Sequence, residues 1–177
     1  MLLWLIRHAA AVKGESDPGL SPLGVIQARR LADRLAERPL VAMWSSDSRR
    51  AVETAALVAL SHRIDVKTTP VLRELDFGEW EGRFLGDLWS EDPKAAKAWE
   101  KDIRQTPPGF AESVDELEAR VRSFWAGLRI PGEIAVVAHG GSLAALRSLI
   151  TGASFESCFA ARIAVGECDV VDVPVRG

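Results

Sequence analysis

Asparagine is absent from this chain, glutamine occurs only as Gln27 and Gln105, and arginine dominates the cations. That bias matches a chain selected against heat-labile amides. Cysteine is scarce too: Cys158 and Cys168 lack Cys-x-x-C spacing and have no nearby histidine, which excludes a redox dithiol motif and a zinc site and reads as two buried, reduced thiols. No apolar run approaches the roughly twenty residues that span a bilayer, and the opening Met1-Leu2-Leu3-Trp4-Leu5-Ile6 meets Arg7-His8 before it is long enough for a signal-peptide core. The reading is therefore no membrane and a cytoplasmic location. A basic block is missing as well; with 22 basic and 25 acidic residues the net charge is −3, so nucleic acid is not expected as a partner, while arginines remain available to line a small anionic pocket. There is no internal repeat, and 177 residues, 47% of them hydrophobic, suit a single domain over 1–177 with a full core.

What is present alternates. Leu2-Leu3-Trp4-Leu5-Ile6 is a continuous apolar run, as for a strand buried on both faces, and its end delivers Arg7 and His8. Ser21-Pro22 supplies an N-cap and a first-turn proline for a helix predicted over Pro22 to Glu37, with Ile26, Ala28, Leu31, Ala32 and Leu35 as its apolar stripe. Leu40-Val41-Ala42-Met43-Trp44 reads as a second buried strand ending at Ser45-Ser46, and Asp47 or Ser48 caps the next helix, which carries Arg49, Arg50, Glu53 and Thr54 in its first turns. A short strand is expected around Ile64 to Lys67, and short helices between Leu85 and Lys101 with a break at Pro93. Ser113 with Glu116 is a capping box opening a helix to about Leu128. Glu133 to Ala138 is another buried strand, ending at His139-Gly140-Gly141-Ser142, which opens a helix to about Ile150. Ala161 to Val165, Gly166, and Cys168 to Val173 read as an edge hairpin.

This alternation implies an α/β fold, a three-layer α/β/α sandwich with a mainly parallel sheet, whose ligands bind beyond the carboxyl ends of the strands. Three such ends carry Arg7-His8, Ser45-Ser46 just before Arg49-Arg50, and His139-Gly140. Phosphoryl transfer needs a nucleophile, cations for the equatorial oxygens and a proton donor for the leaving group. An imidazole can attack phosphorus, guanidinium forks grip phosphoryl oxygens, and N–H groups opening a helix at Gly140 add positive potential.

At these positions the sequence resembles the histidine phosphatase superfamily, the phosphoglycerate mutase-like family. Leu5-Ile6-Arg7-His8 is similar to its signature; Ser45-Ser46-Asp47-Ser48-Arg49-Arg50-Ala51 with Thr54-Ala55 resembles its phosphate-binding segment; Leu72-Arg73-Glu74-Leu75 through Gly82 resembles the segment carrying the acid; and Val137-Ala138-His139-Gly140-Gly141 resembles the second-histidine motif. The resemblance implies that His8 is the nucleophile, that Arg7, Arg50 and His139 surround the phosphoryl group with Gly140 beside it, and that Glu74 protonates the leaving oxygen and then activates water. It implies no metal and no organic cofactor. The pattern differs after the nucleophile, where the family usually has Gly, an acidic or amide residue, then Thr or Ser, and this chain has Ala9-Ala10-Ala11.

The expected function is phosphomonoester hydrolysis on a small phosphorylated metabolite, the short chain and the segment Arg73 to Gly82 resembling bacterial α-ribazole-5′-phosphate phosphatases. The alternatives are a cofactor-dependent phosphoglycerate mutase, which would need a lid segment and further basic residues, and a non-catalytic phospho-ligand binder. A homodimer is left open as the assembly. His62 reads as a surface residue, Arg49 as a solvated neighbour of Arg50, and Asp76, Glu79 and Glu81 as a solvated acidic loop, with Trp80 placed for substrate contact.

Overall fold

The computed structural model describes residues 1–78, 90, 93–105, 109, 111–128 and 131–173. Among them five strands, β1 (Leu2–Arg7), β2 (Leu40–Ser46), β3 (Val66–Thr69), β4 (Glu133–Ala138) and β5 (Cys168–Asp172), form one sheet in the order β3-β2-β4-β1-β5. The first four run parallel, and β5 pairs antiparallel with β1 along the edge. The helices are α1 (Pro22–Leu35), α2 (Arg49–Ala59), α3 (Pro93–Lys101), α4 (Val114–Gly127), α5 (Gly140–Thr151) and α6 (Phe155–Ala160).

Strands β1, β2 and β4 are buried on both faces, as their apolar runs require, whereas the edge strands β3 and β5 are partly exposed. Leu3, Leu5, Ile134, Val136 and Ala138 point into a core shared with α4, α5 and α6, whereas Ile6, Met43, Ala135 and Val137 point into a second core packed by Leu31 and Leu35 of α1 and Ala55 and Val58 of α2. Period-two alternation thus divides each strand between two helical layers, giving the three-layer sandwich. The chain leaves β1 through the α1 layer, while its neighbour β4 leaves through the layer of α5. Oppositely directed exits from adjacent parallel strands open a crevice at their carboxyl ends.

Local chemistry fixes how these elements meet. Ser21 accepts the Gly24 N–H and caps α1. Gly24 lies so close to the loop after β1 that a Cβ there would stand 1.9 Å from the Ala10 carbonyl oxygen. The Ser113–Glu116 capping box of α4 forms in both directions.

Several expectations are corrected. Helix α1 ends at Leu35, not Glu37, because the last turn tightens to an Ala36 N–H···Asp33 O bond and Arg38 precedes a proline, which disfavours helical backbone there. Ile26 of α1 is 50% exposed and lies off the buried stripe. Strand β3 begins at Val66, after Arg63 takes a left-handed φ of 53°, and pairs Val66 with Met43. The terminal hairpin does not form: Ala161 to Val165 is not a strand, since the Ile163 carbonyl accepts from Arg7 and that of Val165 from Gln27. Helix α6, capped by Ser154, is too short for a helical period to have announced it. No helix among the described residues is long and apolar enough to cross a membrane.

Candidate active site

The carboxyl ends of β1, β2 and β4 bring His8, Arg50 and His139 together. His8 follows β1 directly, its N–H bonded to the Ala138 carbonyl of β4 and its own carbonyl accepting the Gly166 N–H. Backbone bonds from β4 and from the turn that precedes β5 therefore hold the residue that bears the imidazole. Its Nδ1 lies 2.9 Å from the Ala9 carbonyl oxygen. A carbonyl only accepts, so Nδ1 carries the proton and Nε2 the lone pair. Arg50, in the first turn of α2, donates its Nε–H toward that Nε2 at 3.4 Å.

His139 has the opposite tautomer. Arg50 Nη2 stands 3.2 Å from Nδ1, and since guanidinium only donates, Nδ1 must accept; the proton then sits on Nε2, 2.9 Å from Ser46 Oγ. The two imidazoles lie 5.0 Å apart. His139 is fully buried and His8 mostly so. Burial pushes the His8 pKa down to about 4, with the Arg50 and Arg7 charges adding to the shift. Burial likewise holds His139 well below its ordinary value, helped by His8 and Arg50. Both rings are neutral near neutral pH.

Arg7 closes another side. One guanidinium nitrogen donates to the Ile163 carbonyl at 3.0 Å, and its buried Nε has no protein partner. Desolvation lowers its pKa, opposed by the Glu74 carboxylate. Gly140, the first residue of α5, packs against this guanidinium. Glu74 Oε1 accepts the Gly141 N–H at 2.9 Å and the Leu75 N–H at 3.0 Å. A Cβ on Gly141 would stand 2.5 Å from that oxygen, so glycine is what lets the carboxylate reach the helix N-terminus.

Two clefts meet at Glu74. One, of about 530 Å³, is polar and bordered by Asp17, Asp47, Arg50 and Arg73. The other, of about 540 Å³, is walled by Phe77, Trp99, Phe159 and Arg162 and opens onto Arg7 and Gly140. Cations and imidazoles concentrate where an anion would be bound, and an aromatic cleft adjoins them. Among the described residues no three of His, Cys, Asp and Glu converge to hold a metal ion.

Every sequence-predicted site residue thus borders one center: His8, Arg50 and His139 are bonded together, and Arg7, Gly140 and Glu74 line its side. The Ala9-Ala10-Ala11 run is packing and backbone. Ala9 is fully buried with its N–H on Thr54 Oγ1, and the Ala10 N–H goes to Gln27. Sequence reading did not single out Thr54, Ser46 or Arg120 as individual contributors. Thr54 and Ser46 lie inside motifs that it quoted; Arg120, on the polar face of α4, carries no local signal. Arg49 is 58% exposed and paired with Glu53, as expected. His62 is half-buried, not a surface residue, and desolvation lowers its pKa. Cys158 and Cys168 are buried and unpaired. Trp80, Glu79 and Glu81 lie outside the described residues, as does the Pro107-Pro108 turn.

A family model described as the histidine phosphatase superfamily (branch 1) matches residues 3–175. An Escherichia coli protein named adenosylcobalamin/alpha-ribazole phosphatase is 31% identical over 183 residues, covering 98% of this chain and 90% of the relative. A Proteus mirabilis protein bearing a phosphoglycerate mutase name is 34% identical over 164 residues, 85% of this chain and 74% of its own length. Among solved structures, mycobacterial glucosyl-3-phosphoglycerate phosphatase in complex with VO3 superposes with a TM-score of 0.83 at 28% identity, covering 97% of this chain and 90% of that one.

Proposed function

The chain belongs to the histidine phosphatase superfamily, and we propose that it is a phosphomonoesterase that passes the phosphoryl group of a small phosphorylated metabolite through His8. The observation that carries this is the His8 tautomer: with Nδ1–H committed to the Ala9 carbonyl, the Nε2 lone pair faces Arg50 in the anion-binding center. Nε2 attacks phosphorus as the P–O bond to the leaving group breaks, and Glu74, entering as the acid, gives its proton to the departing oxygen. The positive imidazole that results keeps its Nδ1–H···O bond. Arg7, Arg50 and His139 surround the phosphoryl oxygens, the guanidinium groups supplying charge that does not depend on pH. In the second half Glu74, now a carboxylate, takes a proton from water whose oxygen attacks phosphorus; the P–N bond breaks and the electron pair returns to Nε2.

The finer reading is α-ribazole-5′-phosphate as substrate. The Escherichia coli relative supports it, and so does the cleft of Phe77, Trp99 and Phe159, whose aromatic walls suit a ring-bearing leaving group. A cytoplasmic location goes with such a metabolite. The test is to capture the intermediate: brief reaction with a radiolabelled phosphomonoester, then quenching in base, leaves acid-labile label on the wild-type protein. His8→Ala carries none and loses at least about 1,000-fold in kcat/KM. Full activity of that variant would overturn the mechanism. Interconversion of 2- and 3-phosphoglycerate without phosphate release would favour a mutase instead.

A further inference from the structure

Arg120 is the residue with the densest bonding near the site, and no step above uses it. From the polar face of α4 it donates to three carbonyls of the segment that carries Glu74: Nη1 to those of Val71 (2.8 Å) and Arg73 (2.9 Å), and Nη2 to that of Glu74 itself (2.9 Å). The same guanidinium is held bidentately by Glu112, with Nε to Oε1 at 2.6 Å and Nη2 to Oε2 at 2.8 Å. Glu112 then reaches the segment from the other side. Its Oε2 accepts the Asp76 N–H at 3.1 Å, and its own N–H donates to the Asp76 carbonyl at 3.2 Å. Residues 71–76 start inside the 3-10 turn Pro70–Leu72 and, past Leu72, have no regular structure of their own. Their carbonyls are satisfied by a side chain from a helix.

We propose that Arg120, locked by Glu112, is a positioning residue for Glu74, setting where its carboxyl group stands over the phosphoryl center; this rests on the reading of Glu74 as the acid. The geometry explains why both residues are needed. The Glu74 side chain is aimed by bonds to Gly141 and Leu75, which fix its tip, while Arg120 fixes the backbone from which that side chain departs. Arginine alone among side chains has a rigid fork with enough donors to serve three carbonyls and a carboxylate together. The pair is sheltered, with 21% of the Arg120 and 14% of the Glu112 side chain exposed, so solvent does not compete freely for these bonds. The other tie on this segment, Arg73 to Asp47, is weaker support because Arg73 is 60% exposed. A displacement of the segment by about 1 Å would cost roughly 100-fold in proton transfer.

The signature of a misplaced acid is dependence on the leaving group. An alkoxide needs the proton; 4-nitrophenolate does not. Phosphorylation of His8 by 4-nitrophenyl phosphate and by phosphoserine is followed in single-turnover experiments for the full-length wild type, Arg120→Gln, Glu112→Gln and Glu74→Gln. Arg120→Gln is expected to lose roughly 100-fold with phosphoserine and less than about tenfold with 4-nitrophenyl phosphate. Inhibition by inorganic phosphate should stay unchanged, because Arg7, Arg50 and His139 are untouched. Glu112→Gln, which leaves the guanidinium on its carbonyls, should show the same selectivity at smaller size, and serves if Arg120→Gln does not fold. Equal losses on both substrates, or no loss, with Glu74→Gln still selective would overturn the positioning role and leave Glu74 as the acid. Glu74→Gln losing equally on both substrates would overturn the reading of Glu74 and this proposal with it.

Discussion

At His8 and His139 two chemically identical side chains are held in opposite tautomers by what their partners are able to do. The carbonyl of Ala9 can only accept, and the guanidinium of Arg50 can only donate. Nitrogen-15 spectra of histidine-labelled protein should therefore show neutral His8 protonated at Nδ1 and neutral His139 protonated at Nε2. In the same spectra His8 should titrate at about 4 rather than near the ordinary value of about 6.5. A midpoint near the ordinary value would mean that the ring is far better solvated than its burial implies. Arg7, His8 and His139 were legible in the sequence because they stand at strand ends, where an apolar run stops abruptly at a polar residue, whereas Arg50 in α2 and Glu74 in an irregular segment were reached only through the resemblance of their motifs. Arg120 was not legible. Beyond Glu112, its partners are the carbonyls of Val71, Arg73 and Glu74, and carbonyl groups have no sequence identity.

Among the elements, α1 is seated by its glycine as much as by its apolar stripe. Gly24→Ala would gain up to about 1 kcal/mol of helix propensity, but it would drive a methyl group into the Ala10 carbonyl, which is backbone and part of the loop after His8. Overpacking of that kind costs roughly 3 kcal/mol, so the variant should be destabilised, read as a lower urea midpoint with an unchanged slope. An unaltered midpoint would show that α1 can slide away freely. Strands β1, β2 and β4 were recognisable because burial on both faces leaves continuous apolar runs, and α4 because its capping box is a local pattern. The terminal hairpin failed for a non-local reason. Residues 161–165 have strand-like composition, yet the carbonyls of Ile163 and Val165 go to the side chains of Arg7 and Gln27 from distant parts of the chain.

For the whole molecule, the buried neutral histidines link stability to pH. The unfolded chain binds a proton at His8 as pH falls through about 6.5, whereas the folded protein does so only at about 4. Protons therefore favour the unfolded state throughout that interval. Stability should be complete above about pH 6.5 and decline between there and about pH 4, with His8 contributing on the order of 3 kcal/mol. Urea denaturation across this range measures it, and His8→Ala should flatten the decline. A wild-type curve that is level over the interval would contradict neutral burial. The same desolvation that leaves the Nε2 lone pair available near neutral pH thus makes the fold acid-sensitive.

The sequence by itself determined the layer architecture and the cast of the site. Hydrophobic periodicity, caps and the polar residues at strand ends are local properties, and local properties survive in a one-dimensional record. Only the tertiary structure decided how those residues work together. The order β3-β2-β4-β1-β5 sets β4 beside β1 and so brings His139 within 5.0 Å of His8. The packing of α5 sets Gly141 against Glu74, and α4 lends Arg120 to a segment with no regular structure of its own. Tautomers, depressed pKa values and the stance of the acid depend on atoms brought together from far apart in the chain.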